Sequence, residues 1–402
     1  MEEIGPFQIR QWLQPNAVGI EGHHKETFEE ILVKTENMSL NLDQEAAILQ
    51  TLSGGIGFPT LYWFGKSSNL KTMITDARGP SLEDVFERSN RYFHMQLVLE
   101  IANQLIFRLE WMHSHNVSHG RLTPVSFAAG ASTWQTPQII LGEFGNIDNT
   151  ENSTMKDLEA VADILVYLAV GFPSWEIFQA RKPSLADIPP PLKGFISMIS
   201  GREINPADYV IPRRYLHTAR RSLLGRTILG GLGAPQDRNL SLKYLASRNT
   251  GDLFETLGSK ISAVGDAAGE IPWGKEHAKF LLGSLNEIMT IYFALLMRDK
   301  PSPKRNRYHM GAFHLPNRLW RDLRWYLCMA KRGSLPLQKL ITITIYKYMG
   351  VLVEVIPSYN RHWTKILSDT AYAQMNVDED CSHLWKDAWI YWKQCANFLN
   401  KQ

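Results

Sequence analysis

Between Trp111 and Gly145 the chain concentrates side chains that can move protons, carry charge or hold an ion. His113, His115, His119, Arg121 and Glu143 all fall within WMHSHNVSHGRLTPVSFAAGASTWQTPQIILGEFG. The three imidazoles stand as H-x-H-x3-H, a pattern that could serve a metal, but no cysteine or further carboxylate accompanies them. We therefore expect no metal and no cofactor. His23-His24 reads as a solvated turn, and no nucleophile elbow, Walker lysine or zinc ribbon is visible. Cys328, Cys381 and Cys395 are an odd number at no metal-ligand spacing. They point to reduced thiols and an intracellular protein, cytoplasmic or nuclear. MEEIGPFQIRQW has neither a basic n-region nor an apolar h-region, so no signal peptide is expected.

The elements that must position these groups divide the chain. Its 402 residues suffice for two or three domains. Residues 1–225 hold 19 Lys/Arg against 25 Asp/Glu, and residues 226–402 hold 24 against 15. An acidic half joined to a basic half predicts units with different partners and says nothing of fold. Residues 7–80 have the texture of strands (FQIRQWL, EEILVKT, TLYWFG, Lys71–Thr75) around one helix, NLDQEAAILQTL, with Asn41 or Asp43 near its start as cap candidates. From 81 the pattern turns helical. SLEDVFERS opens with a capping box, and HMQLVLEIANQLIFRLEWMHSHN carries Leu97, Ile101, Leu105 and Leu109 on one stripe. KDLEAVADILVYLAVGF is apolar on most faces, as a buried helix should be. KPSLADIPPPLKG reads as a break before GFISMISG and YLHTARRSLLGRT.

GGIGFPTLYWFG, then GPSLEDVFE, then WMHSHNVSHGRLTPVSFAAG, then KDLEAVADILVYLAVGFPSWE resembles a casein-kinase-one-type protein kinase domain in order and spacing, over residues 5–222. The resemblance implies a bilobal kinase-like fold and gives each motif a task in phosphoryl transfer. The phosphate-cradling loop would fall on Gln14-Pro15-Asn16-Ala17-Val18-Gly19, where only Gly19 is retained and Pro15 removes a donor. Lys34 matches the strand lysine that pairs with phosphates, and Glu45 the helix glutamate that holds it. Both are retained, and a partly exposed structural salt bridge would account for them without any nucleotide. Arg121 stands where an aspartate should orient the substrate hydroxyl, and a guanidinium cannot accept a proton. Thr123 replaces the lysine at the γ-phosphate, and Ser126 the asparagine on the second magnesium. Glu143, in Glu143-Phe144-Gly145, replaces the metal-binding aspartate by a side chain one methylene longer. His119, Phe144, Gly145 and Asp157 match framework positions, Asp157 as acceptor for the loop backbone. Only eleven residues, NIDNTENSTMK, separate Gly145 from Asp157, so the expected activation segment is missing.

Residues 226–274 read as a linker region with a short helix or two, for instance LSLKYLAS and DLFETLGSKI. From 275 to 402 the chain looks wholly α-helical, an antiparallel domain of about five helices. Within it LPLQKLITITIYKYMGVLVEVI is β-branched enough to make a strand conceivable. Residues 278–297 and 335–356 are apolar enough to raise the membrane question. Asn286 and Glu287 interrupt the first, and Lys339, Lys347 and Glu354 the second, so both are read as buried core helices with no membrane partner. The stretch from Arg298 to Arg332, including Arg305 and Arg307, holds ten Lys/Arg against Asp299 and Asp322. In it Arg318, Arg321 and Arg324 are interleaved with Trp320 and Trp325, opposite a face of Leu315, Leu319, Leu323 and Leu327. They suit nucleic-acid backbones or acidic protein surfaces, or simply a solvated face. Trp385, Trp389 and Trp392 suit either a partner groove or the helical core.

The sequence thus predicts an α+β protein: a kinase-like pseudokinase domain over 1–225, a linker region and a basic helical domain over 275–402. The expected role is a non-catalytic scaffold or regulatory subunit with protein partners. The alternatives are a nucleotide switch or weak transferase using Lys34, Glu45 and Glu143, and a nucleic-acid-associated subunit.

Overall fold

The computed structural model describes residues 3–4, 7–9, 20–25, 30–36, 41–67, 70–131, 134–147, 153–201, 209–222, 249–271, 274–298, 315–379 and 381–400. The chain is mixed α+β, with antiparallel strands in its N-terminal part and a helical C-terminal region. Two compact units account for it. One comprises residues 1–33, 132–135 and 234–402, the other 34–131 and 136–233. One boundary, between 233 and 234, falls within the 226–274 segment, and another passes through a strand, β4 (Glu30–Thr35).

Strand order in the N-terminal sheet is β1 (Glu3–Ile4), β2 (Phe7–Ile9), β3 (Ile20–His24), β4, β6 (Leu70–Asp76), β5 (Leu61–Ser67). His23-His24 therefore lies on a strand and not in a turn; His23 pairs with Gln8 and Glu30 and is buried. Beyond Val33, Lys34 and Thr35 are buried together. Helix α1 (Leu42–Thr51) follows, with the Asn41 side chain accepting from Gln44 N at 3.2 Å. A second sheet joins β7 (Arg78–Ser81), β8 (Phe127–Gly130) and β9 (Ile139–Leu141).

Helices complete that unit. The Ser81–Asp84 capping box closes the start of α2 (Leu82–Arg88). Along α3 (Met95–Ser114), Leu97, Ile101, Leu105 and Leu109 are all buried. This helix packs against α4 (Ser153–Val170) and α7 (Val210–Ser222). Between those two come α5 (Trp175–Ala180) and α6 (Pro190–Ser200). The supposed proline break is in part the start of α6, where a proline at the first position forfeits no hydrogen bond.

In the other unit the DLFETLGSKI segment expected to be helical is part of a longer helix, α8 (Thr250–Glu270). Leu253, Leu257, Val264 and Ala268 form its buried stripe, and Asn249 caps it, accepting from Asp252 N at 2.8 Å. Glycines obscured that periodicity, yet a Cβ at Gly258, Gly265 or Gly269 would meet nothing. The LSLKYLAS segment lies outside the described residues. The remaining helices are α9 (Lys275–Arg298), α10 (Leu315–Ala330), α11 (Leu335–Val355), α12 (Asn360–Val377) and α13 (Ser382–Asn400). Each packs on its neighbour in sequence from α8 onward. The β-branched run Ile341–Ile345 is helical because every residue of it is buried, and packing outweighs propensity.

By length and composition Glu276–Arg298 could cross a membrane, and 67% of its most apolar window is buried within the protein. Its polar interruptions have partners. Asn286 Oδ1 accepts from Trp134 Nε1 at 3.0 Å, and Glu287 is paired with Lys260. The Trp134 ring meets Tyr348 edge to face at 5.4 Å.

Candidate functional site

Two polar clusters in the unit formed by 34–131 and 136–233 contain Lys34, Glu45, Glu143, His113, His119 and Asp157. The first begins where β4 delivers Lys34 beside the first turn of α1. Lys34 Nζ donates to Glu45 Oε1 at 2.7 Å, and each side chain is only 4% exposed. The pair is therefore buried, not the partly exposed bridge expected. Glu45 also sits near the positive end of the α1 dipole. Lys34 is 3.6 Å from Glu143 Oε1, which in turn accepts from Arg78 Nη2 at 2.6 Å. Burial pushes the Glu143 carboxyl up, but Lys34 and Arg78 outweigh it and hold the group below its ordinary range. Its backbone is left-handed, with φ +66°. Arg78 comes from β7 and is absent from the residues singled out above. The clue was a charge in the otherwise uncharged Ala77-Arg78-Gly79-Pro80, opposite a glycine: a Cβ on Gly142 would lie 2.0 Å from Arg78 Nη1.

The second cluster centres on Asp157, fully buried on α4. Its carboxylate accepts from His119 N at 2.8 Å, Gly120 N at 2.6 Å and His113 Nε2 at 3.0 Å. With Asp157 accepting, His113 donates from Nε2, and its Nδ1 faces the Tyr209 hydroxyl. Burial raises the Tyr209 pKa, which keeps it a donor. His119 Nε2 reaches Glu143 O at 3.2 Å, and its ring lies 5.8 Å from that of the fully buried Phe144. Gly145, which follows Phe144, is half-buried in a 3-10 turn. His115 bonds instead to Trp111 O. The three histidines thus serve different partners, and among the described residues no group of three His, Cys, Asp or Glu is placed to hold a metal.

His119 is 3% exposed, and burial lowers its pKa below 6.5 against the pull of Asp157 and Glu143. A depressed histidine pKa contributes stability above pH 6.5 that is lost as pH falls through the folded value. Urea unfolding from about pH 8 to about pH 5 should therefore show the advantage of wild type over His119→Gln shrinking toward acid. An advantage that grows toward acid would refute this.

Downstream, Thr123 and Ser126 are occupied with each other. Thr123 N donates to Ser126 Oγ at 3.1 Å, and their hydroxyls lie 3.4 Å apart in a reciprocal cap of the turn Pro124–Ser126. Arg121 is exposed. It lies on a groove of 1080 Å3 bordered by Lys156, Asp163, Phe178 and Ile196. The expected phosphate loop at 14–19 lies outside the described residues.

On α10, Arg321 and Arg324 are exposed and Arg318, Trp320 and Trp325 half-buried, while Leu315, Leu319 and Leu323 are buried and Leu327 is only partly so. Tyr326, at 1% exposure, takes the core position instead. Arg321 pairs at 3.0 Å with Asp322, which also accepts from Tyr292. Arg305 and Arg307 lie outside the described residues. On α13, Trp385 and Trp392 belong to the core: Trp385 packs 5.0 Å from Tyr346, and Trp392 Nε1 donates to Tyr346 Oη at 2.8 Å. Trp389 is half-buried between Tyr372 at 5.6 Å and Lys393 at 4.5 Å. No protein-family model matches the chain.

Proposed function

We propose that the protein is a non-catalytic relative of the casein-kinase-one-type kinases, with a bilobal kinase-like domain, acting in the cytoplasm or nucleus as a scaffold or regulatory subunit for protein partners. One observation carries this reading. In the catalytic-loop stretch, the two side chains at the phosphate and second-magnesium positions, Thr123 and Ser126, are spent on each other. What remains at the base position is Arg121, which cannot take a proton. Incubation with radiolabelled ATP, magnesium and generic protein substrates should give no transfer. Transfer that disappears in Lys34→Ala would overturn the reading.

A second reading, association with nucleic acid, is favoured by Arg321 and Arg324 standing exposed beside half-buried Trp320 and Trp325. It requires binding to single- or double-stranded nucleic acid that weakens steeply with salt and is lost in Arg321→Glu/Arg324→Glu.

A further inference from the structure

The kinase resemblance implies a magnesium–nucleotide complex near Lys34 and Glu143, and the donor set here does not fit one. A divalent cation needs carboxylate oxygens free of other cations. Glu143 already receives the Arg78 guanidinium at 2.6 Å and faces the Lys34 ammonium at 3.6 Å, while Lys34 is bonded to Glu45 at 2.7 Å. Two cations and two carboxylates form a closed, charge-balanced chain. Adding a doubly charged ion would place it against the Arg78 guanidinium, which is bonded at 2.6 Å to the same carboxylate. Ser126 offers no second ligand, since its hydroxyl is engaged with Thr123.

We infer that Arg78 is an internal counter-cation that locks Glu143 and closes this site to metal–nucleotide complexes. The fold has been shaped around it. Gly142 is the residue that leaves room for the guanidinium, because any β-carbon there would collide with Nη1 at 2.0 Å. The lock is therefore a pair of positions, an arginine on β7 and a glycine before Glu143. Each can be broken separately, one by removing the charge and the other by displacing it. Removing either leaves Glu143 facing only Lys34, an ammonium for phosphate oxygens beside a carboxylate for the cation.

This inference rests on the kinase-like reading of the site; thermal melting tests the lock, and the radiolabel assay tests that reading. Wild type, Arg78→Ala and Gly142→Ala are melted with ATP plus magnesium and with ATP plus EDTA, each at millimolar nucleotide. Wild type should show no magnesium-dependent shift. Both variants should melt a few degrees below wild type without ligand, and both should recover on the order of 2–4 °C with magnesium–ATP but not with ATP in EDTA. Gly142→Ala keeps every charge, so it serves if Arg78→Ala does not fold. A magnesium-dependent shift in wild type overturns the lock, as does the absence of one in every variant that folds. Neither result touches the proposed function. That would fall only to phosphate transfer by wild type.

Discussion

Asp157→Ala is expected to destabilise its unit by about 4 kcal/mol, lowering the melting temperature by on the order of 10 °C. The side chain is 0% exposed and accepts three hydrogen bonds, two of them from consecutive backbone amides. Hydrogen bonds to a charged acceptor contribute roughly 1.5–3 kcal/mol each, and a buried donor left without a partner costs about 1–3 kcal/mol. Alanine strands the amides of His119 and Gly120 and the imidazole of His113 together. Asparagine preserves the shape and one acceptor but sets a new donor against existing donors, so it should recover only about 1–2 kcal/mol. Urea denaturation of the three proteins checks the order. A loss below about 1 kcal/mol in the alanine variant would mean that the loop does not depend on this carboxylate.

The second large effect is expected at Gly57. Its φ is +80°, a conformation that costs a residue with a β-carbon roughly 1–2 kcal/mol, and that carbon would fall 1.7 Å from Arg108 Nε. Arg108 cannot yield. It is 0% exposed, and its Nε and Nη2 both donate to Ile139 O, at 3.0 and 2.8 Å. One helical turn earlier Gln104 accepts from Ile139 N at 2.7 Å and donates to Pro137 O at 2.9 Å. Successive turns of α3 thus hold the backbone entering β9, which leads to Gly142 and Glu143. Gly57→Ala and Arg108→Ala should each cost about 4 kcal/mol, the first by collision and the second by stranding a buried carbonyl and leaving a void. The double variant should cost well under the sum, because the methyl then enters space the guanidinium has left. Additive costs would show that the two sites do not share that space.

Several parts of the fold could be read from local chemistry. Asn41 and the Ser81–Asp84 box marked two helix starts correctly, and the four-residue stripe of α3 identified its buried face. These succeeded because the signal and the structure involve the same few residues. Lys34 and Glu45 could be paired on the kinase resemblance, though not their burial, which depends on what covers them. Arg78 and Arg108 escaped notice for one reason. Arginine on an exposed surface and arginine buried against a carbonyl or carboxylate look alike in sequence, and the partners stand 65 and 31 residues away. Arg108 left one trace, falling three residues after Leu105 on an otherwise apolar stripe. Helix α8 was legible only in part, as DLFETLGSKI, because Gly265 and Gly269 interrupt the pattern beyond it while a β-carbon at either would meet nothing.

The reciprocal cap between Thr123 and Ser126 bears on how this chain can diverge. Any residue but proline at 123 keeps the backbone amide that donates to Ser126 Oγ, whereas a residue at 126 without an acceptor leaves that amide unpaired. Position 126 is therefore the more constrained of the two. Homologous sequences that keep the turn should vary more at 123 than at 126.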